Sequence, residues 1–374
     1  MSKIKVLTVF GTRPEAIKMA PVVKELEKYP DEIESIVCVT AQHRQMLDQV
    51  LDLFEIKPDF DLNIMKPNQD LWTITSDVLL LMKDVFEKSK PDIVLVHGDT
   101  TTSMAAALSA FYARIPVGHV EAGLRTFDKY YPFPEEINRV FADAVCTYHF
   151  APTDTSVNNL IKSAIPEDHI YKTGNTVIDA LLHTVKNNQA DLSYIGLNPN
   201  LKTILLTSHR RENFGEPIRN ICKAVLELVE KNKDIQVVYP VHLNPNVQKP
   251  VKELLDNKER IHLIEPMEYA PFSTLMKKSH IIMTDSGGVQ EEAPSLGKPV
   301  IVLRSTTERP EAVEYGTVKL AGTDKDTIVR EVQNLLDNET EYKKMSEAIN
   351  PYGDGLASRR IVEIIKKELS QKAL

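Results

Sequence analysis

Residues 284–302, TDSGGVQEEAPSLGKPVIV, contain groups suited to binding a phosphate. An apolar, strand-like run leads into Ser286, Gly287 and Gly288. Glycines let backbone N–H groups approach a phosphate without a Cβ in the way, and the start of a following helix adds free N–H donors. Glu292 follows in that helix, where it can accept hydrogen bonds from a ribose diol. For a Ser-Gly-Gly taken alone, a plain strand-to-helix turn with solvated glutamates is the better explanation.

A second set of phosphate-compatible groups lies in FGTRPEAIKMAP, residues 10–21. Gly11 ends an apolar run, and Pro14 suits the first turn of a helix. Arg13 and Lys18 then lie close to the helix start, where their charges can neutralise phosphates. A solvated position for Arg13 explains the segment equally well. The chain has neither GxGxxG nor GxxxxGK[ST], so neither a Rossmann dinucleotide fingerprint nor a P-loop is predicted.

Cationic groups are also concentrated in TSHRREN, residues 207–213, where His209, Arg210 and Arg211 are consecutive. A single histidine is usually structural, and surface arginines are usually solvated. Three such groups at the predicted end of a strand favour anion binding.

Carboxylates are concentrated in EAGLRTFDKYYPFPEEINR, residues 121–139, which is aromatic, proline-rich and predicted to be a long irregular loop. Glu121, Glu135 and Glu136, together with Asp99, provide enough carboxylates near one strand end for acid/base catalysis. Long loops in compact folds tend to be functional. A solvated acidic loop is the alternative. No HxxxH or DxD motif is present, so no metal site is predicted.

The elements that must position these groups alternate between strand and helix. Short apolar, β-branched runs predict buried parallel strands. They lie at 4–10, 35–40, 92–99 and 115–123, and again at 203–209, 235–242, 280–288 and 299–304. Helix-period segments include 14–29 and 102–114, and 356–369 is an amphipathic helix. A looser stretch near 173–200 separates the two series, with 185–200 as the predicted linker. The pattern predicts two doubly wound α/β units.

Ligands of open α/β sheets bind beyond the carboxyl ends of the strands. Ionisable or phosphate-compatible groups follow nearly every predicted strand: Gly11-Thr12-Arg13, Gln42-His43-Arg44, His97-Gly98-Asp99, Glu121, His209-Arg210-Arg211, His242 and Ser286-Gly287-Gly288. Because such groups follow so many predicted strands, the sequence predicts a ligand cleft between two domains.

Bulk properties exclude several classes of protein. At 374 residues the chain is long enough for two domains, and its charge of −8 argues against nucleic-acid binding. Its three cysteines are far apart without metal-ligand spacing, which favours a reducing compartment and no structural zinc. No signal peptide is predicted, and no run approaches the roughly 18 apolar residues of a membrane span. A cytoplasmic protein without membrane partners is expected.

Together, these segments resemble the family of non-hydrolysing UDP-N-acetylglucosamine 2-epimerases. The resemblance extends almost from end to end of the chain. It rests on VFGTRPEAIKMAP (9–21), VTAQHRQMLDQVL (39–51), VLVHGDTTT (94–102), GHVEAGLRT (118–126), PFPEEINR (132–139), TGNTVIDAL (173–181), HRRENFG (209–215), YPVHLNPNV (239–247), TDSGGVQEEAPSLGKPV (284–300), TTERPEAV (306–313) and NPYGDGLASRRI (350–361).

The resemblance implies an α/β protein of GT-B type, with two Rossmann-like doubly wound domains facing a central cleft. The N-terminal domain is expected at 1–175 and the nucleotide-binding C-terminal domain at 176–355. The C-terminal helix, 356–374, is expected to pack back on the N-terminal domain. A homodimer is usual for such proteins.

The resemblance also implies the reversible conversion of UDP-GlcNAc into UDP-ManNAc, through elimination of UDP to 2-acetamidoglucal and its re-addition. Such a reaction supplies UDP-ManNAc for cell-surface polysaccharide or glycoconjugate synthesis and needs no cofactor or metal. Three alternatives stay open: a hydrolysing epimerase that releases free ManNAc, a GT-B glycosyltransferase, and a sugar-nucleotide sensor without activity.

Site residues follow from the same resemblance. Asp99, Glu121, Glu135 and His209 match the catalytic set. The UDP-binding set comprises Arg13, Lys18, Ser286, Gly287 and Gly288 for the diphosphate, Glu292 for the ribose, Phe272 for the uracil, and Arg309.

Bacterial relatives bind a second UDP-GlcNAc as an activator. The residues that resemble this allosteric site are Gln42, Gln45, Glu136, Arg210 and His242. Asn68 stands where some relatives have an arginine, and losing a bidentate anion ligand there weakens the expectation of activation.

Overall fold

Consecutive buried positions in the strands determine the architecture. In the segment Ile4–Phe10, Val6, Leu7, Val9 and Phe10 are all fully buried, so both faces of this strand are covered, as in a parallel sheet. The computed structural model describes residues 3–42, 44–66 and 69–371. Within them, two compact units are distinguished. The first comprises the described residues up to Ala180 and from Tyr352 onwards, and the second comprises Leu181–Pro351.

The first unit contains a parallel sheet of order β3-β2-β1-β4-β5-β6-β7 among its described residues. Its strands are β1 (Ile4–Phe10), β2 (Ile33–Val39), β3 (Phe60–Asp61), β4 (Ile93–His97), β5 (Val117–Val120), β6 (Tyr148–Ala151) and β7 (Ile170–Lys172). Its helices are α1 (Arg13–Leu26), α2 (Arg44–Leu53), α3 (Leu71–Ser89), α4 (Thr101–Tyr112), α5 (Glu135–Val145) and α6 (Asp154–Lys162), with the start of α7 (Thr176–Asn187).

The second unit contains a parallel sheet of order β10-β9-β8-β11-β12-β13. Its strands are β8 (Lys202–Thr207), β9 (Ile235–Pro240), β10 (Ile261–Ile264), β11 (Ile281–Thr284), β12 (Val300–Val302) and β13 (Val318–Leu320). Its helices are α8 (Glu216–Lys231), α9 (Pro245–Leu255), α10 (Tyr269–Lys278), α11 (Gly287–Glu292), α12 (Pro310–Glu314), α13 (Lys325–Asp337) and α14 (Glu339–Ser346). A final helix, α15 (Ala357–Gln371), belongs to the first unit.

Helices cover both faces of the first sheet. Side chains of α1, α2 and α15 share one core with the sheet, and those of α3 and α4 share another. Ile361, Val362 and Ile365 place α15 in the first of these cores, and Lys366 pairs with Glu32 at 2.9 Å. The predicted amphipathic helix therefore uses its apolar face against the first unit.

Two predictions about irregular regions are wrong. The predicted linker at 185–200 begins inside α7, which ends at Asn187, because the apolar face of this helix is buried through Val185. The predicted loop at 121–139 is also too long. α5 begins at Glu135, so Glu135 and Glu136 occupy the first turn of a helix.

Candidate active site

Three neighbouring strands bring the predicted acid/base groups of the first unit to one edge of the sheet. β1, β4 and β5 are adjacent and parallel, so their carboxyl ends lie side by side. Gly11 follows β1, Asp99 follows β4 after one glycine, and Glu121 directly follows β5. The sheet order itself therefore gathers segments that are far apart in the chain.

Glu121 is held at the centre of this group by an ion pair with Lys18 from the second turn of α1. Asn175 donates its side-chain amide to the same carboxylate at 2.9 Å, and His97 Nε2 lies 3.7 Å from it. Burial alone would raise the pKa of Glu121. The charge of Lys18, with a smaller contribution from the neighbouring His97, outweighs burial and holds that pKa well below its usual range. Glu121 is therefore ionised at neutral pH.

The backbone of Glu121 is strained. Its φ is +64°, in the left-handed region that residues with a Cβ rarely adopt. Strained backbone persists where the surrounding structure over-determines it, and such positions cluster at functional sites. The ion pair and the Asn175 amide provide that restraint from the side-chain end.

Asp99 is positioned from α5. Arg139 forms an ion pair with its carboxylate, and Asn138 donates its side-chain amide to its backbone carbonyl at 3.0 Å. Glu135 lies three and four residues before these two, and residues at that spacing share one face of a helix. The first turn of α5 thus brings Glu135 to the face that contacts Asp99.

A buried carboxylate that sequence reasoning missed joins two of these strand ends. Glu15 accepts hydrogen bonds from the backbone N–H groups of Gly11 at 3.1 Å and Thr12 at 2.8 Å. Its other oxygen accepts from the hydroxyls of Thr100 at 2.6 Å and Ser103 at 3.0 Å. The signal was present as Thr12-x-x-Glu15, the spacing of a capping box.

Glu136 has a different environment from the one predicted. Only 2% of it is exposed, and its carboxylate accepts from the backbone N–H of Thr126 at 3.0 Å and of Phe127 at 2.9 Å. Arg139 lies 3.3 Å from the same carboxylate. These contacts anchor the loop before α5, so in this structure Glu136 has a structural role.

In the second unit, Asp285 organises the loop that follows β8. This aspartate follows β11, the neighbour of β8, and is fully buried. One oxygen accepts from the backbone N–H groups of His209 at 2.8 Å and Arg210 at 2.9 Å, and from the side chains of Ser208 and Asn213 at 2.9 Å. The other lies 3.3 Å from His209 Nδ1.

His209 projects from this loop with 40% of its side chain exposed. Its ring stacks on that of His242, which follows β9, with 5.6 Å between centroids and 18° between planes. Burial is the main cause that lowers the pKa of His209; His242 and Arg210 add to the shift and Asp285 opposes it. The ring is therefore neutral at neutral pH.

Two guanidinium groups lie beside the Ser-Gly-Gly segment. A Cβ added at Gly287 would lie 3.7 Å from a terminal nitrogen of Arg210 and 3.7 Å from one of Arg309. Arg309 is oriented by an ion pair with Glu291 of α11. Ser286 immediately precedes α11, and Gly288 is exposed. The phosphate-compatible backbone and these cationic side chains thus lie side by side in the second unit.

Glu292, at the end of α11, is oriented by α10. It is buried and accepts a hydrogen bond from the Tyr269 hydroxyl at 2.8 Å. Phe272 lies in the first turn of the same α10 and is partly buried. Its backbone N–H already donates to the Glu268 carbonyl at 3.0 Å, so this donor is used within the protein.

The family model described as UDP-N-acetylglucosamine 2-epimerase matches residues 24–366. The chain belongs to this family. It is 61% identical over 365 residues to the UDP-N-acetylglucosamine 2-epimerase of Bacillus subtilis, covering 97% of this chain and 95% of that one.

Solved structures of the family have the same fold. A crystal structure of a putative epimerase from Listeria monocytogenes superposes with a TM-score of 0.95 at 51% identity, covering 99% of this chain and 98% of that one. The Neisseria meningitidis epimerase, solved with UDP-GlcNAc bound, gives a TM-score of 0.87 at 56% identity, covering 97% and 100%. The predicted pair of Rossmann-like domains is confirmed.

The remaining predicted residues lie near the starts of α1 and α2 or outside the described residues. Arg13 begins α1 and Gln45 is exposed on α2. Gln42 accepts weakly from the Thr102 hydroxyl at 3.4 Å. His43 and Asn68 lie outside the described residues.

The described part of the chain has side chains and helices that bear on metal binding and on membranes as follows. It contains no group of three or more His, Cys, Asp or Glu side chains arranged to hold a metal ion. Of the helices described above, none is both long enough and apolar enough to cross a bilayer.

Proposed function

We propose that this chain interconverts UDP-N-acetylglucosamine and UDP-N-acetylmannosamine at C2 without hydrolysis. The observation that carries the proposal is the pair of Asp99 and Glu121 at one sheet edge of a member of this family, with Glu135 in the first turn of the helix whose Arg139 contacts Asp99. Several carboxylates near one sheet edge suit a reaction that removes a proton from one face of a carbon and returns it to the other.

The substrate's chemistry explains why UDP must leave first. C2 of the sugar has no adjacent carbonyl, so direct removal of its proton meets a very high barrier. We propose that the bond between C1 and the diphosphate oxygen breaks with its electrons going to UDP, while a carboxylate takes the C2 proton. The product is 2-acetamidoglucal with a C1=C2 double bond. Protonation of C2 on the opposite face and return of the diphosphate oxygen to C1 complete the epimerisation.

We assign the proton transfers to Asp99, Glu121 and Glu135 as a set. Glu121 is ionised at neutral pH, so it is in the state that accepts a proton. Its ion pair with Lys18 also lowers its basicity. If Lys18 turns to the diphosphate, as proposed below, the pKa of Glu121 rises and its basicity increases as the substrate binds. His209, neutral at neutral pH, is assigned to the departing diphosphate or to the acid step.

UDP recognition is assigned to the remaining predicted residues. Cations placed where negative charge develops on a leaving group stabilise the transition state. Arg309 and Arg210 beside Gly287 meet this need in the second unit. The diphosphate is assigned to Arg13, Lys18, Ser286, Gly287 and Gly288, the ribose to Glu292, and the uracil to the segment around Phe272.

We also propose regulation by a second UDP-GlcNAc through Gln42, Gln45, Glu136, Arg210 and His242. The exposed, stacked ring of His242 is available for it. Glu136 is committed to the backbone of its own loop and must be released to take part. Hyperbolic rates in the reverse direction, unchanged when UDP-GlcNAc is added, would exclude this regulation. A cytoplasmic homodimer that supplies UDP-ManNAc for cell-surface glycans completes the proposal; sedimentation tests the dimer.

One experiment tests the reaction. The protein is incubated with UDP-GlcNAc alone in D2O, and the products are followed by proton NMR. Deuterium at C2 of a UDP-linked manno sugar is the expected result. Free ManNAc with UDP would identify a hydrolysing epimerase instead. Turnover that requires an added acceptor would identify a glycosyltransferase, and an unchanged, unlabelled substrate would leave only binding.

A further inference from the structure

A buried polar cluster lies directly behind the Asp99 turn. His119 in β5 is 0% exposed, and Asp143 in α5 is 1% exposed. His119 Nδ1 lies 2.5 Å from an Asp143 oxygen, and Nε2 lies 2.7 Å from the Gly98 carbonyl oxygen. Arg125 pairs with the other Asp143 oxygen at 2.7 Å.

The partners of His119 determine its protonation. A backbone carbonyl can only accept a hydrogen bond, and so can an ionised carboxylate. Burial alone would raise the pKa of Asp143, but His119 and, on the second carboxylate oxygen, Arg125 outweigh burial and lower it, so Asp143 is ionised. Both nitrogens of His119 therefore face acceptors, and only the doubly protonated ring donates to both. In a neutral ring, the unprotonated nitrogen would point its lone pair at an acceptor oxygen, which repels it, and that hydrogen bond would be lost.

The titratable and charged groups around the ring agree with this state. Burial alone would favour the neutral form of His119, but Asp143 and the Gly98 carbonyl outweigh burial and Arg125, so its pKa is raised.

The other groups of the cluster are His149, whose Nε2 contacts the Asp143 carbonyl at 2.9 Å and whose Nδ1 contacts the His169 carbonyl at 3.2 Å, and the partly buried thiol of Cys146. His149 faces two neutral carbonyls and no carboxylate oxygen, so burial outweighs these contacts, lowers its pKa and leaves the ring neutral at neutral pH. Burial raises the pKa of Cys146, so its thiol is neutral as well.

The Gly98 carbonyl is the point at which this cluster meets the candidate active site. Gly98 has φ of +64° and immediately precedes Asp99. Asn138 and Arg139 hold Asp99 from its carbonyl and its carboxylate. His119 holds the preceding peptide, so the turn is restrained on both sides.

We propose that protonated His119, held by Asp143, is a positioning residue that fixes the Gly98–Asp99 turn and thereby the Asp99 carboxylate. This inference rests on the proposed function for its effect on turnover. His119 contacts no substrate; it acts through Gly98. Because the pKa of His119 is raised, the ring keeps its second proton through the neutral range and loses it as the pH rises above that pKa. Turnover should fall with it on the alkaline side.

Two substitutions separate the contacts of the ring. The amide nitrogen of glutamine replaces Nε2, so His119→Gln keeps a donor to Gly98 that does not titrate. The amide of asparagine reaches only the position of Nδ1, so His119→Asn keeps the Asp143 contact and loses Gly98. We expect His119→Asn to lower kcat about 100-fold, since a misplacement near 1 Å has this cost. His119→Gln should retain most of kcat, and the fall of kcat at alkaline pH should disappear, because the glutamine donor does not titrate. KM and UDP affinity should change little in both.

His149→Gln is the matched control, because His149 is equally buried in the same cluster and does not touch Gly98. The His149→Gln protein should keep the wild-type kcat and the same fall of kcat at alkaline pH. A His119→Asn protein with wild-type kcat would overturn the proposal. So would a His149→Gln protein whose kcat falls as far as that of His119→Asn.

Ring NMR of the wild-type protein, with 15N-labelled histidine at pH 7, tests the inference even if a variant fails to fold. Both nitrogens of His119 should carry protons; an unprotonated Nε2 would overturn the proposal. If the wild-type chain shows no epimerisation, the proposed function fails, while this spectrum and the Asp99 amide shift in His119→Asn still test the positioning.

Discussion

Lys18 and Glu121 are 103 residues apart in the chain and form an ion pair whose side chains are only 17% and 10% exposed. The pair joins the first helix of the chain to the end of β5. It keeps a carboxylate ionised in a position where burial alone would favour the protonated form. The acidity of the candidate active site is therefore determined by a contact between two distant segments.

Replacing Lys18 by methionine should move the acidic limb of the kcat/KM profile, which reports the free enzyme, to higher pH. Loss of the lysine charge removes the largest influence that lowers the pKa of Glu121, so the carboxylate becomes protonated at a higher pH than in the wild type. The measurement is kcat/KM as a function of pH, from pH 9 down to the most acidic pH at which both proteins stay folded. Lys24→Met is the control, because Lys24 lies on the same helix and pairs with Glu27 at 2.9 Å. An acidic limb that stays in place would exclude Glu121 as the titrating group.

Replacing Asp285 by alanine should lower the free energy of unfolding of the second unit by about 3 kcal/mol, because buried donors lose a charged acceptor. Four donors converge on one oxygen of this carboxylate. Asp285→Asn keeps an acceptor oxygen and should cost less. Urea unfolding measures both, with Asp326→Ala as the control, since 81% of that side chain is exposed. Equal stability of the Asp285→Ala and Asp326→Ala proteins would contradict the central role of Asp285.

Replacing Tyr269 by phenylalanine should raise KM for the UDP-sugar about tenfold and leave kcat unchanged, since about 1.4 kcal/mol corresponds to tenfold in binding. The hydroxyl orients Glu292, which is proposed to bind the ribose. Steady-state kinetics provide the measurement. Tyr342→Phe is the control, because that hydroxyl donates to the His280 carbonyl in the same unit at 3.1 Å. If both variants show the same KM, Glu292 does not depend on Tyr269.

The pattern of apolar residues predicted strands and helices well where neighbouring residues alone determine the structure. Ile4–Phe10 is a strand with the predicted bounds, because an uninterrupted apolar run is typical of a strand covered on both faces. The strand predicted at 35–40 is observed at Ile33–Val39, and the other predicted strands are shorter than predicted, since polar residues at their ends belong to the loops. α5 was missed because the prolines before it suggested that the loop continues through Glu136.

The site was only partly predictable for a different reason. Asp99, Glu121 and His209 could be found because they follow strands, and strand ends converge in a parallel sheet. Asp285 could not be distinguished from a solvated carboxylate, because its role depends on donors from a distant segment. For Glu15, the capping-box spacing indicates the local contacts but not the hydroxyl donors from Thr100 and Ser103. Glu136 illustrates a further limit: the sequence does not reveal that its oxygens accept hydrogen bonds from the backbone of its own loop.

Replacing Gly11 by alanine should destabilise the first unit by about 2 kcal/mol, because overpacking a filled core forces side chains and backbone to move. A Cβ at Gly11 would lie 1.9 Å from the Thr40 hydroxyl oxygen and 2.9 Å from that of Thr102. These two hydroxyls are hydrogen-bonded to each other at 3.0 Å and fully buried, so neither can turn away without losing its partner. Thermal unfolding of Gly11→Ala is compared with that of Gly288→Ala, where the nearest atom to the added Cβ is 3.9 Å away. A Gly11→Ala protein as stable as the Gly288→Ala protein would show that the β1–α1 turn has room for a side chain and that close packing is not what requires glycine there.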